Sequence, residues 1–174
     1  AATKKSDELM AFAYSRLYGI RCTGLRYFTV YGPWGRPDMA PFLFAEAISA
    51  GKPIKVFNHG DMIRDFTYID DIVEGTLRVV LDRRSDNTAR HQAGYSIYNI
   101  GCSTPVRLMD FIAEIEDALG RKAVMEMLPM QQGDVYETYA DTSRLEQDYG
   151  YKTCVSLHEG IARFISWYKE YNKK

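Results

Sequence analysis

Leu25-Arg26-Tyr27-Phe28-Thr29-Val30-Tyr31-Gly32-Pro33-Trp34-Gly35-Arg36-Pro37-Asp38 reads as an apolar strand that breaks abruptly into a loop punctuated by glycine and proline. The loop still carries aromatics and an arginine. In α/β sheets small molecules bind just beyond the carboxyl ends of strands, and loops there hold the chemistry while the scaffold supplies rigidity. A ligand site is one reading; a surface loop around a buried tryptophan is the plainer one.

On the amino-terminal side, Leu9, Met10, Ala13, Tyr14 and Leu17 stand at helical spacing within Ser6 to Tyr18, and Gly19 is a suitable stop. Cys22 to Val30 then forms the strand that leads into the loop. Beyond the loop, Pro41 to Ala50 predicts a helix ended by Gly51, and Pro53 to Phe57 a short strand. Arg64 to Tyr68 is a further extended piece, after which Asp70 and Asp71 can cap a helix running through Ile72, Thr76 and Leu81. The polar run from Asp82 to Gly94 is a loop and the one plausible insertion site. Ser96 to Ile100 gives a strand, Pro105 opens a helix that continues to Leu119, and Ala123 to Leu128 is a strand. Asp141 or Thr142 can cap a short helix to Tyr149, and Ser156 to Tyr171 is amphipathic. The alternation predicts an α/β fold without repeats. No glycine-rich turn of the dinucleotide-binding type follows any of these strands.

With 174 residues, 46% of them hydrophobic, the chain can bury one sizeable core. A net charge of −1 from 22 basic and 23 acidic residues argues against nucleic acid, and no apolar run is long enough to span a bilayer. Cys22, Cys102 and Cys154 lie far apart in no metal-like spacing, which suits reduced thiols in the cytoplasm. The three histidines are equally scattered, so no metal is assigned. The chain opens Ala1-Ala2-Thr3-Lys4, without a signal peptide or an initiator methionine, as a piece cut from something longer would.

Two further groups could do chemistry. In Arg64-Asp65-Phe66-Thr67-Tyr68-Ile69-Asp70-Asp71 the arginine suits a phosphate, since a guanidinium gives planar bidentate contacts. An ion pair with Asp65 or Asp70 is the alternative. In Gln131-Gln132-Gly133-Asp134-Val135 the glycine allows close backbone approach, and Asp134 could accept hydrogen bonds from ribose hydroxyls or simply make a turn. Phe57, just before Asn58-His59-Gly60-Asp61, could stack a base or belong to the core.

Together and in this order, these segments closely resemble the extended short-chain dehydrogenase/reductases that act on nucleotide sugars, and within them the UDP-glucuronate 4-epimerases. The resemblance covers essentially the whole chain. Ala1-Ala2-Thr3-Lys4 resembles the tail of the family's Tyr-x-x-x-Lys motif, and Thr29 to Met39 resembles its glucuronate-type branch. By this resemblance the fold is the C-terminal, substrate-binding part of a Rossmann-type epimerase. Residues 1–38 are then a remnant of the NAD-binding domain and 39–174 the nucleotide-sugar domain, with segments that interleave.

The resemblance also implies roles. Lys4 is catalytic and cofactor-binding: it holds the nicotinamide ribose and lowers the pKa of a tyrosine that would precede Ala1. Tyr27 lies by the nicotinamide, and Thr29 and Arg36 face the hexuronate and its carboxylate. Phe57 and Leu108 wall the uracil, Arg64 grips the diphosphate and Asp134 binds the ribose. Where many members carry arginine this chain has Gln131. The implied reaction interconverts UDP-glucuronate and UDP-galacturonate at C4 through a 4-keto sugar, with NAD regenerated each cycle. The piece alone is expected to be inactive, and its first helix and the Cys22 to Val30 strand are expected to lack their native sheet partners and to expose an apolar face. In the intact family that helix commonly packs in a homodimer. A 4,6-dehydratase, a uronate decarboxylase and a non-catalytic sugar-nucleotide binding module are the rival readings.

Overall fold

Alternating apolar runs and glycine stops produce an α/β chain in the structure, a computed structural model that describes residues 1–82 and 94–173. The element order is α1 (Ala2–Tyr18), β1 (Cys22–Tyr27), β2 (Thr29–Tyr31), α2 (Ala40–Ala50), β3 (Pro53–Val56), β4 (Ile63–Arg64), β5 (Phe66–Tyr68) and α3 (Ile69–Val80), followed by β6 (Tyr95–Ile100), β7 (Val106–Arg107), α4 (Leu108–Leu119), β8 (Val124–Met127), α5 (Ser143–Tyr149) and α6 (Leu157–Tyr171). The insertion loop expected from Asp82 to Gly94 falls almost wholly on 83–93, outside the described residues.

Three strand pairs are parallel. β1 runs beside β6 from Cys22↔Tyr95 to Tyr27↔Ile100, β2 beside β5 and β3 beside β8, while β4 and β7 are antiparallel. The strand expected as one piece from Cys22 to Val30 is interrupted at Phe28, whose N–H donates to the Ile100 carbonyl at 3.2 Å. There the chain exchanges partners, from β6 to β5. Among the described residues β1 has β6 as its one strand neighbour. The expected apolar exposure is present on α1, where Leu9, Met10, Tyr14, Leu17 and Tyr18 face solvent.

Helices α2, α4 and α6 pack over β2, β3 and β5 around Phe44, Ile48, Phe66, Phe111, Ile112, Phe164 and Ile165. Phe66 and Phe111 stack at 3.9 Å. A second cluster, Ile72, Tyr98, Ile100, Leu145 and Tyr151, joins α3, β6 and α5. Two of its buried tyrosine hydroxyls donate to named acceptors, Tyr151 to the Gly101 carbonyl at 2.9 Å and Tyr98 to Asp148 Oδ2 at 2.7 Å.

Three further expectations change. Pro105 opens no helix, because Val106 and Arg107 first pair with Ile63 and Arg64 and α4 starts at Leu108. Phe57 leaves β3 and begins a 3-10 turn to Gly60. Asp70 and Asp71 make no side-chain cap on α3. Asp71 instead is buried and accepts from the Cys154 and Val155 N–H groups at 2.9 and 3.1 Å, tying the approach to α6 onto α3. Asp70 faces Arg163 of α6 at 3.2 Å.

Candidate functional site

Strain marks where the strands end. Trp34 (φ 61°), Asn58 and His59 (φ 49° and 51°) and Ser103 (φ 55°) are the described non-glycine residues with left-handed backbones. They follow β2, β3 and β6, each a parallel strand. Such conformations cost of order 1–3 kcal/mol and gather where structure serves a ligand. At Trp34 the offset is visible: its ring meets Trp167 and Tyr171 of α6, each at 5.4 Å between centroids. Each such contact contributes about 0.5–1.5 kcal/mol. The plainer reading of a buried tryptophan does not hold, since Trp34 is 75% exposed.

Two clefts meet at Tyr27. One, of about 640 Å³, runs between α1 and β1 and is lined by Lys4, Glu8, Gly24, Arg26 and Tyr27. The other, of about 400 Å³, lies under the loop after β2 and is lined by Tyr27, Phe28, Trp34, Arg36 and Met39. Tyr27, half exposed, walls both, and its hydroxyl is 3.1 Å from Thr76 Oγ1 of α3. Lys4 is exposed and pairs with Asp7 at 3.3 Å. Arg36 donates from Nε to Asp38 Oδ1 at 3.1 Å, and that hydrogen bond holds the Asp38 carboxyl below the usual carboxylate range. Thr29, half-buried, pairs in register with Phe66 and stands outside the walls of both clefts. Lys4, Tyr27 and Arg36 thus share one surface, whereas Thr29 is set back in the sheet.

Arg64 builds a second region. Its Nη1 donates to the carbonyls of Ile63 and Tyr136, and its Nη2 to the Val135 carbonyl and to Asp134 Oδ1, at 2.6–2.9 Å. The ion pair expected with Asp65 or Asp70 is replaced by one with Asp134. The turn after Phe57 reaches the same region. Gly60 leaves so little room that a Cβ there would lie 2.5 Å from Met109 Sδ, and the Leu108 N–H donates to the Met62 carbonyl at 2.8 Å. Phe57 and Leu108 belong to the same core cluster, Leu108 buried and Phe57 partly so.

Asp65 is the site-building residue that sequence reasoning missed. Fully buried, it accepts from the N–H groups of Cys102, Ser103 and Ala140 at 2.8–3.0 Å and from the Thr67 hydroxyl at 3.3 Å. One carboxylate thereby fastens the loop after β6 and the segment from Asp134 onward to the strand that carries Arg64. The available signal was a carboxylate between Arg64 and the apolar Phe66, in an otherwise extended stretch.

An exposed ammonium and a half-exposed ring in the larger cleft fit the nicotinamide-ribose end of a dinucleotide. No G-x-G-x-x-G turn occurs in the chain for the pyrophosphate.

Residues 1–101 match the NAD dependent epimerase/dehydratase family. The protein CapI of Staphylococcus aureus is 50% identical over 183 residues, covering 100% of this chain and 55% of that protein. A probable UDP-glucuronate 4-epimerase of Rhizobium meliloti (strain 1021) is 49% identical over 181 residues, 98% of this chain and 53% of its own length. The UDP-glucuronic acid 4-epimerase of Bacillus cereus, solved with UDP-glucuronic acid and NAD, superposes with a TM-score of 0.88 at 32% identity over 98% of this chain and 52% of that one. The chain spans about half the length of the relatives it matches.

Proposed function

The chain belongs to the NAD dependent epimerase/dehydratase family, and from that premise we propose that it is the substrate-binding portion of a UDP-hexuronate 4-epimerase, interconverting UDP-glucuronate and UDP-galacturonate. The observation that carries this reading is Tyr27, which walls the cleft holding Lys4 and the cleft holding Arg36. A cofactor ring on one side and a sugar on the other would meet at that residue. The relatives by sequence and by structure that are described as UDP-glucuronate 4-epimerases support the choice of sugar.

NAD, when bound, supplies the acceptor and donor of the hydride at C4. Lys4 would donate to the nicotinamide ribose, and Tyr27 would face the nicotinamide. Arg36 would exchange Asp38 for the uronate carboxylate, with Thr29 close behind in β2, and so hold the acid out of the geometry in which a 4-keto uronate loses carbon dioxide. Arg64 would turn Nη2 from Asp134 to the diphosphate, freeing Asp134 for the ribose, while Phe57 and Leu108 would wall the uracil. Residues 1–38 would belong to the cofactor domain and 39–174 to the substrate domain, interleaved where β1 and β2 pair with β6 and β5. The apolar face of α1 is proposed as the contact between two copies. Three free thiols suit a reducing compartment such as the cytoplasm.

Calorimetric titration with UDP-glucuronate, UDP-galacturonate, UDP-glucose and UDP tests the reading. Binding that needs UDP, prefers the uronates and weakens in Arg64→Ala supports it. Binding of the neutral sugar nucleotide as tightly as the uronates would sink the uronate assignment.

A further inference from the structure

Helix α6 lies outside both clefts, yet it reaches the loop that carries Arg36 by two routes, directly at Trp34 and through Phe42 of α2. Gly35 passes so near Phe42 of α2 that a Cβ would lie 2.8 Å from the Phe42 ring, and that ring in turn meets Trp167 at 5.9 Å. On the other side the Trp34 ring rests on Trp167 and Tyr171, which stack on each other at 5.1 Å. The helix itself is registered against β2 at its other end, where a Cβ on Gly160 would collide with the Tyr31 hydroxyl. Trp34 is left-handed and mostly exposed, so the rings of α6 are what its own side chain gains from that conformation.

We infer that Trp167 and Tyr171 are positioning residues: through Trp34 they hold the loop that carries Arg36, and thereby set the preference for an acidic sugar. This rests on the epimerase reading above and deepens it. The chemistry follows from geometry. A guanidinium recognises a carboxylate through a planar fork, which is sensitive to angle, whereas the hydroxyls of a neutral sugar make no such demand. Arg36 is two residues beyond Trp34, so a change in the Trp34 backbone swings the fork directly.

The test is calorimetry on this chain and on Tyr171→Ala and Tyr171→Phe with UDP-glucuronate, UDP-glucose and UDP. Tyr171→Ala is expected to weaken UDP-glucuronate about fivefold to tenfold, the equivalent of one or two aromatic contacts, with UDP-glucose and UDP unchanged and Tyr171→Phe restoring the uronate. Equal weakening of all three ligands, or none, overturns the inference. If UDP itself fails to bind, the epimerase reading fails separately, and hydrogen exchange then judges the clasp. Faster exchange of the Gly35 and Met39 amides in Tyr171→Ala, with the Leu108 amide unchanged, supports it; unchanged Gly35 and Met39 amides overturn it. The chain has two tryptophans, Trp34 and Trp167, both in the clasp, so intrinsic fluorescence also reports on it. Unaltered emission in Tyr171→Ala would count against it.

Discussion

Arg64 and Asp134, 70 residues apart in the chain, form an ion pair with Nη2 and Oδ1 2.9 Å apart, the arginine being the more buried partner. The two groups proposed for the diphosphate and the ribose therefore neutralise one another. A diphosphate that takes Nη2 competes with Asp134 Oδ1 for it, and the diphosphate is the better partner for the fork because it offers more anionic oxygens.

Arg64→Ala should then weaken UDP at least tenfold, the loss of a charge-assisted contact of about 1.5–3 kcal/mol. Asp134→Ala should cost clearly less, because it removes ribose hydrogen bonds but also releases Arg64. Titration with UDP separates the two variants, and equal losses would argue that Arg64 acts only by pinning the Asp134 segment.

Asp65→Ala should destabilise the fold by about 3 kcal/mol or more, since three backbone N–H groups would be left without their acceptor. Urea unfolding checks this. A midpoint close to that of the parent would mean that water replaces the carboxylate.

Asp38→Asn should tighten uronate binding. The carboxylate of Asp38 occupies the Arg36 fork that a sugar carboxylate would use, and the amide competes less well for it. UDP-glucuronate affinity should rise while UDP is unaffected; a fall would show that Asp38 holds Arg36 in place instead of blocking it.

Glu8 joins α1 to β1. Its carboxylate accepts from Arg26 Nε and Nη2 at 2.6 and 2.8 Å and from Lys5 at 2.7 Å, contacts that lower its pKa from 4.5 to about 2. The folded-state pKa lies below the unfolded one, so the contribution to stability is complete above pH 4.5 and is lost as pH falls towards about 2. Stability measured by urea at successive pH values across that window should fall less steeply in Glu8→Gln. Identical slopes would contradict the assignment.

The helices were legible in the sequence because their signals are local. Apolar spacing and terminal glycines place α2 between Ala40 and Gly51, and the Ser156 hydroxyl accepts from the Glu159 N–H at the start of α6 as its residue type leads one to expect. The Pro105 error shows the boundary of that logic: a proline after a turn can open a helix, but here pairing with β4 takes Val106 and Arg107 first.

What the sequence by itself determined is the α/β alternation, the break from strand into a glycine- and proline-punctuated loop after β2, and the residue types able to meet a nucleotide sugar. Those follow from periodicity, backbone propensity and side-chain chemistry, each carried by residues near one another in the chain. Tertiary structure alone decided the exchange of partners at Phe28, the pairing of Arg64 with Asp134 in place of its neighbours, the burial of Asp65 and Asp71 as acceptors for distant backbone, and the grip of α6 on Trp34. Each depends on which donor or ring arrives from far along the chain, and a local pattern does not specify that arrival.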